Sequence, residues 1–308
     1  MRRLIASLPL IRRPFYQRDM ARLERDAAIA ERDAANRKYD ALKAELYGLR
    51  HANSADAEAP DEATVGSSLG KDMRSRICSL CNNEVAAWRP FEQRPSEFLM
   101  RLEPIGSNID RFWCPHCSSI DRERHLALFF DRLQLMQGMA GGTVLHIAPE
   151  FRLREYVLRF GLATYVQGDL SPQHESIQRI DVQNIPFPDK TFDMIICNHV
   201  LEHVEDAQIA MRELHRVLKV RGRAICQTPY ASRLSKTFEE PLLQTSEDRV
   251  YFYGQDDHVR LFGLDIEQKL QDAGFAGRLV PHTEILPDVD PEFAGINEKE
   301  PFFDFVRR

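Results

Sequence analysis

Four of the six cysteines form two Cys-x-x-Cys pairs, Cys78-Ser-Leu-Cys81 and Cys114-Pro-His-Cys117, with 32 residues between them. Each pair can set two thiolates on one side of a tight knuckle, so Cys78, Cys81, Cys114 and Cys117 can together complete a tetrahedral site for zinc. Closed four-sulfur coordination leaves no position open for water or substrate, which points to a structural ion. The alternatives are a redox pair or ordinary reduced thiols, with His116 a substitute ligand. The intervening Trp88, Phe91, Phe98, Leu99, Phe112 and Trp113 supply apolar material for a small core around the metal. Cys197 and Cys226 sit at the ends of apolar runs and read as buried thiols. This usage belongs to a reducing, cytoplasmic compartment.

A second set of polar residues lies where apolar runs end: His146, Ala148 and Glu150 after one run, Asp169 after the next, then Asp181, then Asn198-His199. Within this set, His199-Val-Leu-Glu-His203 has the His-x-x-Glu-His order of inverted zinc peptidases, which present both imidazoles from a helix. Here an apolar run ends at Cys197 and an acidic helix start follows at Glu205-Asp206, so the segment reads as a loop or single turn, with no third ligand obvious downstream, His203 packing or facing substrate, and Glu202 an exposed or pocket-rim acid. Farther on, Tyr251-Phe-Tyr-Gly-Gln-Asp-Asp-His258-Val-Arg260 is a dense cluster. His258 is the candidate general base, because an imidazole titrates near neutrality; a capping or hydrogen-bonded structural histidine is the competing reading. Arg260 can hold an anionic group or pair with Asp256 or Asp257, and Tyr253 is a candidate substrate contact.

These residues require a scaffold of short buried strands. Thr143 to Ala148, Thr164 to Gln167 and Phe192 to Cys197 read as strands, with a helix over Phe151 to Phe160 between the first two. Ala207 to Val220 carries Ile209, Ala210, Leu214, Val217 and Leu218 at helical spacing, Arg221-Gly222 is the expected stop, and Arg223 to Thr228 the following strand. Strand, helix, strand in that order is one crossover of a parallel sheet. Pro229 to Arg249 reads as irregular, and Leu264 to Ala273 as a helix ending at Gly274. The predicted fold class is α/β, a doubly wound, mostly parallel sheet whose ligands bind beyond the carboxyl ends of the strands.

The run from Asp181 through Ile-Pro-Phe-Pro-Asp, Thr-Phe-Asp and Asn-His-Val-Leu-Glu-His-Val to Arg-Gly-Arg resembles the middle of class I S-adenosylmethionine-dependent methyltransferases, of the type 11 kind. The resemblance covers roughly half the chain and implies a Rossmann-like fold with S-adenosylmethionine as cofactor. It makes Asp169 the ribose ligand, Asp181 with Val182 the adenine contact, and Asn198-His199 the lining of the methionine side. The family places an acid and then Gly-x-Gly-x-Gly after the first strand, where this chain has His146-Ile-Ala148-Pro149-Glu150 and no glycine. Ala148 is small enough for close approach, Glu150 can catch the cofactor's ammonium, and His146 can line or support the pocket. The segment around His258 is similar to that of methyltransferase-like proteins that join a cysteine module to this fold, which implies methylation of an oxygen or nitrogen on a small molecule or glycan, with His203, Tyr253 and Arg260 on the substrate side. The competing class is a non-catalytic scaffold that keeps the fold, and the missing glycine loop is its support.

With 308 residues, 43% of them hydrophobic, the chain can bury an enzyme-sized domain and an appendage. A net charge of -6 argues against nucleic acid as the partner. No apolar run reaches the length of a membrane span; Leu4 to Ile11 is broken by Pro9 and closed by Arg12-Arg13, and no signal peptide is expected. The expected organisation is a basic N-terminus and long helix or coiled coil over 1–50, a flexible linker over 51–73, the zinc module with a connecting helix over 74–140, and the methyltransferase-like domain over 141–308. Arg2, Arg3, Arg12, Arg13 and Arg18 interleaved with apolar residues suit peripheral contact with the inner membrane face, and the Ala-rich heptads suit self-association.

Overall fold

The computed structural model describes residues 76–308. The expected basic terminus, long helix and linker, and the membrane contact and self-association attached to them, lie outside the described residues. Among the described residues no helix is long and apolar enough to cross a membrane.

Seven strands form the central sheet: β1 (Thr143–Ile147), β2 (Thr164–Asp169), β3 (Gln178–Arg179), β4 (Phe192–Cys197), β5 (Leu218–Ile225), β6 (Phe275–Val280) and β7 (Phe302–Arg307). Their spatial order is β6-β7-β5-β4-β1-β2-β3. The first five run parallel, and β7 is antiparallel to both β5 and β6. The order reverses at β1, with β2 on one side and β4 on the other, which is the switch point where open α/β sheets bind ligands.

The short apolar strands are buried on both faces, as crossover connections demand. Leu145, Ile147, Ile195 and Cys197 pack into one core with Ala210, Met211 and Leu214 of helix α3 (Ala207–Val217) and with Ile266 and Leu270 of helix α5 (Ile266–Asp272). The alternate residues Val144, Met194 and Ile196 pack into a second core on the other face. There they meet Phe129 and Phe130 of helix α1 (Asp121–Arg132) and Leu153 and Val157 of helix α2 (Phe151–Val157). Glu123 of α1 joins the two helices: its carboxylate accepts the backbone N–H groups of Ile120, Arg152 and Leu153.

The α3 helix is shorter than its spacing predicts. Asp206 caps it by accepting the N–H of Ile209, and it ends at Val217, after which Leu218 opens β5 directly. Phe192 pairs with Leu218 and Met194 with Arg223, so Lys219–Gly222 bulges opposite Asp193. Lys219 Nζ reaches Asp193 at 2.8 Å there. Pairing of Leu218 with Phe192 of β4, and the Arg307 guanidinium donating to the Leu218 carbonyl, outweigh the helical propensity of the Leu218–Val220 segment. The region from Pro229 to Arg249, expected to be irregular, contains a strand pair between Tyr230–Ala231 and Pro104–Ile105, and helix α4 (Ser246–Tyr253) begins within it.

The cysteine segment packs directly on this domain. Arg124 of α1 is fully buried, lies 4.2 Å over the Trp88 ring, and donates to the carbonyls of Ser119, Arg111 and Gly295. Trp88 Nε1 donates to Glu292 O at 3.0 Å. Gly295 adopts φ +63, and a Cβ there would lie 2.2 Å from the indole, so the residue answers both backbone and packing.

Candidate functional site

The four cysteines converge as their spacing predicts. Cys78 Sγ lies 3.8 Å from Cys117 Sγ, and Cys81 Sγ 4.0 Å from Cys114 Sγ. Four sulfurs bonded at about 2.3 Å to one tetrahedral ion stand about 3.8 Å apart, so the spacing fits zinc. Both knuckles are built alike. Cys78 N–H donates to Asn83 O and Cys78 O accepts Asn82 N–H, while Cys114 N–H donates to Ser119 O and Cys114 O accepts Ser118 N–H. Asn82 and Ser118 share a left-handed φ of 58°.

The second set gathers at the carboxyl ends of the parallel strands. Ala148 leaves β1 with φ +47, a conformation usually given to glycine, and its N–H donates to Gly168 O at 2.7 Å. The turn that the glycine loop would make is therefore made with alanine. His146 is wholly buried, its Nδ1 2.8 Å from Tyr165 Oη and its Nε2 3.2 Å from Glu150 Oε2. It thus stands behind Glu150. Burial works to raise the Glu150 pKa, but the His146 contact and nearby Arg122 outweigh it and hold the carboxyl below its ordinary value.

Asp169 ends β2 with Oδ1 accepting Ser171 N–H, and Asp181 follows β3 with Oδ1 accepting Gln183 N–H. Both are turn acids, each with one carboxylate oxygen engaged locally. Asn198 follows β4 and is 4% exposed, yet neither its Oδ1 nor its Nδ2 has a hydrogen-bond partner. His199 takes φ +51, fixed by its N–H to Gln227 O at 2.7 Å, and its Nε2 is also unpartnered. Burial and Arg122 lower its pKa, while Glu202 and Glu300 raise it and prevail. Buried polar groups are normally paired, so unpaired ones collected at a strand switch point make this a candidate ligand site.

The residues expected on the substrate side divide. His203 and His258 meet edge to face, ring centroids 4.6 Å apart. His258 is 4% exposed, and its Nδ1–H donates to Tyr253 O at 3.0 Å, leaving Nε2 unpartnered. Burial lowers its pKa and favours the neutral ring. Arg260 has no donor left over for an anionic group. Its guanidinium is buried and donates to the carbonyls of Leu201, Val204 and Glu205 and to both oxygens of Glu239, so every N–H is used. Its ion-pair partner is Glu239, neither Asp256 nor Asp257. The Tyr253 hydroxyl is likewise engaged, accepting Glu240 N–H and donating to Glu240 O, and burial pushes its pKa up to about 12. In both residues the polar group holds the fold, and the Tyr253 carbonyl orients His258.

Residues 198–206 form turns rather than a helix, so the peptidase arrangement is absent from His199 to His203. Glu202, expected as an exposed or pocket-rim acid, is instead buried beside His199 and His203. It is 1% exposed, its Oε2 accepts Thr228 Oγ1–H at 2.9 Å, and its backbone carbonyl accepts Val259 N–H, which brings His258 alongside. Arg122, whose buried Nε has no partner, and Glu300, 3.8 Å from His199, escaped sequence reading. Arg122 follows the second cysteine pair and Glu300 lies near the C-terminal strand, both far in sequence from His199, and no local spacing signals either as part of this site.

Residues 152–226 match the family described as Methyltransferase domain. The chain is 34% identical over 83 residues to the uncharacterized methyltransferase YcgJ of Bacillus subtilis, covering 27% of this chain and 30% of that protein. It is 30% identical over 150 residues to the demethylmenaquinone methyltransferase of Streptomyces griseus, covering 44% of this chain and 61% of that protein. The chain thus spans less than two thirds of the length of either curated relative. The crystal structure of YcgJ aligns with 57% of this chain and 97% of its own at 18% identity and a TM-score of 0.39. The matched segment begins just after Glu150 and ends at Cys226, so the part of this chain that carries Asp169, Asp181, Asn198 and His199 is similar to the methyltransferase domain family.

Proposed function

We propose that this chain is an S-adenosylmethionine-dependent methyltransferase acting on an oxygen or nitrogen of a small molecule or glycan. The observation that carries the reading is the unpaired, buried Asn198 amide at the end of β4, inside the matched segment and beside the β1–β2–β4 switch point. Asp169 would hold the ribose hydroxyls, Asp181 the adenine amino group, and Glu150 the ammonium. Arg122 supplies a positive charge for the carboxylate. Ala148, in its left-handed turn, admits the cofactor backbone where glycines are missing. Bound there, S-adenosylmethionine supplies an electrophilic methyl group on a sulfonium. In-line displacement draws much of its rate from alignment, so a site that positions the acceptor near His258 suffices. Zinc at Cys78, Cys81, Cys114 and Cys117 is proposed as a structural ion that fixes the cysteine segment against α1.

Calorimetric titration of the folded full chain with S-adenosylmethionine tests this. Saturable one-to-one binding, lost on Asp169→Ala, is expected; no heat of binding by folded protein removes the methyltransferase reading and leaves the scaffold.

A further inference from the structure

One ligand atom from each of Glu202, His203 and His258 lies within 4.8 Å of the others. What distinguishes this cluster from a chance meeting of side chains is how each residue's other polar atom is used. His258 Nδ1 faces a carbonyl, which only accepts, so its proton sits on Nδ1 and the Nε2 lone pair is free in a buried position. His203 Nδ1 lies 3.2 Å from Asp257 Oδ2, which sets its proton there and turns the Nε2 lone pair to within 3.9 Å of Glu202 Oε1. Glu202 spends Oε2 on Thr228, and its buried Oε1 takes no well-formed hydrogen bond; His199 Nδ1 stands 3.3 Å away but out of line. A carbonyl on one imidazole, a carboxylate on the other and a hydroxyl on the glutamate are the outer partners that orient metal ligands.

We propose that Glu202, His203 and His258 form a binding site for one divalent transition-metal ion, with its remaining positions open to an oxygen or nitrogen ligand. Two imidazoles and one carboxylate suit zinc, iron(II), cobalt(II) or manganese(II), and three protein ligands leave coordination positions unfilled. His203, with 30% of its side chain exposed, marks the side reachable from solvent. The identity of the open-position ligand as the methyl acceptor rests on the methyltransferase reading; the metal site itself does not. In this arrangement His258 is a ligand rather than a base, and the ion holds the acceptor atom. Asp257 is a positioning residue that acts through His203.

The test uses the full chain, dialysed against a mild chelator so that the four-sulfur site keeps its zinc, then titrated with cobalt(II). One equivalent of cobalt is expected to bind with visible ligand-field bands and without thiolate charge-transfer absorption. His203→Ala and Glu202→Gln should abolish that equivalent. Asp257→Asn, at a side chain 64% exposed, should weaken it roughly 10–100-fold with the fold intact by circular dichroism. No cobalt beyond the sulfur site, or unchanged affinity in His203→Ala and Asp257→Asn, overturns the proposal. S-adenosylmethionine titrations run on the same samples report the methyltransferase reading separately: cofactor binding without cobalt binding defeats the metal site alone, and the converse defeats the cofactor reading alone.

Discussion

His146 and Glu150 face each other across the turn that leaves β1, with Nε2 and Oε2 3.2 Å apart. The imidazole is anchored on its other side by Tyr165, so the carboxylate at the head of α2 is held in one place by a buried chain of contacts. A glycine loop presents backbone to its ligand; here an acid on a buried support stands at the same strand end. Glu150→Gln should therefore weaken S-adenosylmethionine binding about 10–100-fold, the loss of one charged hydrogen bond of about 1.5–3 kcal/mol. Calorimetry would show it, and an unchanged affinity would dissociate Glu150 from the cofactor.

If zinc is held by the four cysteines as proposed, its removal should be felt throughout the segment that packs on α1. Cys78 and Cys114 are wholly buried, and the first knuckle is flanked only by the two-residue strands Arg76–Ile77 and Glu84–Val85, the second only by isolated bridges at Trp113 and Ile120. Cys114→Ser should lower zinc content by one per chain and cost several kcal/mol of stability, in keeping with metal binding as folding energy. Elemental analysis paired with thermal unfolding checks this; a full-strength transition in the variant would dismiss the structural role.

Gly295→Ala should destabilise by about 2 kcal/mol or more, because alanine at φ +63 is strained and its Cβ would meet the Trp88 ring. Trp88→Ala removes that clash but opens a cavity beneath Arg124, at a cost of about 3–5 kcal/mol. If alanine at 295 is less costly in a Trp88→Ala background than alone, the two residues are coupled as the packing implies. Urea denaturation of the double-mutant cycle supplies the measurement.

Arg260 ties down the loop that carries Glu202 and His203. Arg260→Lys should lose at least about 3 kcal/mol, since lysine cannot reach the carbonyls of Leu201, Val204 and Glu205 together and buried acceptors are left unpaired. A variant of native stability that shows only a raised KM for acceptor would instead return Arg260 to the substrate.

Stability should also carry a signature of Asp121. Burial raises its carboxyl to about 7, with Glu300 adding to the effect against Asn108, Arg124 and Arg122. A raised acid is protonated in the folded chain at pH values where the unfolded chain, at about 3.9, has lost its proton. Its contribution is complete below about pH 4 and declines, by a few kcal/mol, as pH rises through about 7. Acids held low, such as Glu213 beside Arg216, act in the opposite sense and lose their contribution only as pH falls below about 4.5. Three histidines held low by burial, His215, His258 and His282, favour the folded chain as pH rises, so the signature lies in the difference: urea unfolding between pH 5 and 8 should show the stability of the parent chain relative to Asp121→Asn declining as pH rises.

Much of this protein is legible from local pattern. Two Cys-x-x-Cys pairs predict the sulfur cluster because two residues of spacing set two thiolates on one knuckle wherever the chain goes. The apolar runs ending at Ile147, Asp169 and Cys197 locate the parallel strands, since strands buried on both faces must be short and continuously apolar, and their ends place Ala148, Asp169, Asn198 and His199 at one edge of the sheet. What spacing does not contain is the partner of each polar atom. Arg260 and Tyr253 look available in sequence, and only packing shows their polar groups already engaged by the 201–205 carbonyls and by Glu240. Glu202 is one letter in a misleading peptidase motif until the Val259 hydrogen bond carries His258 to its side across 56 residues. Secondary structure is set by neighbours along the chain and so can be read from it; a site is set by which groups are left unpaired once distant segments have packed, and that is decided only in three dimensions.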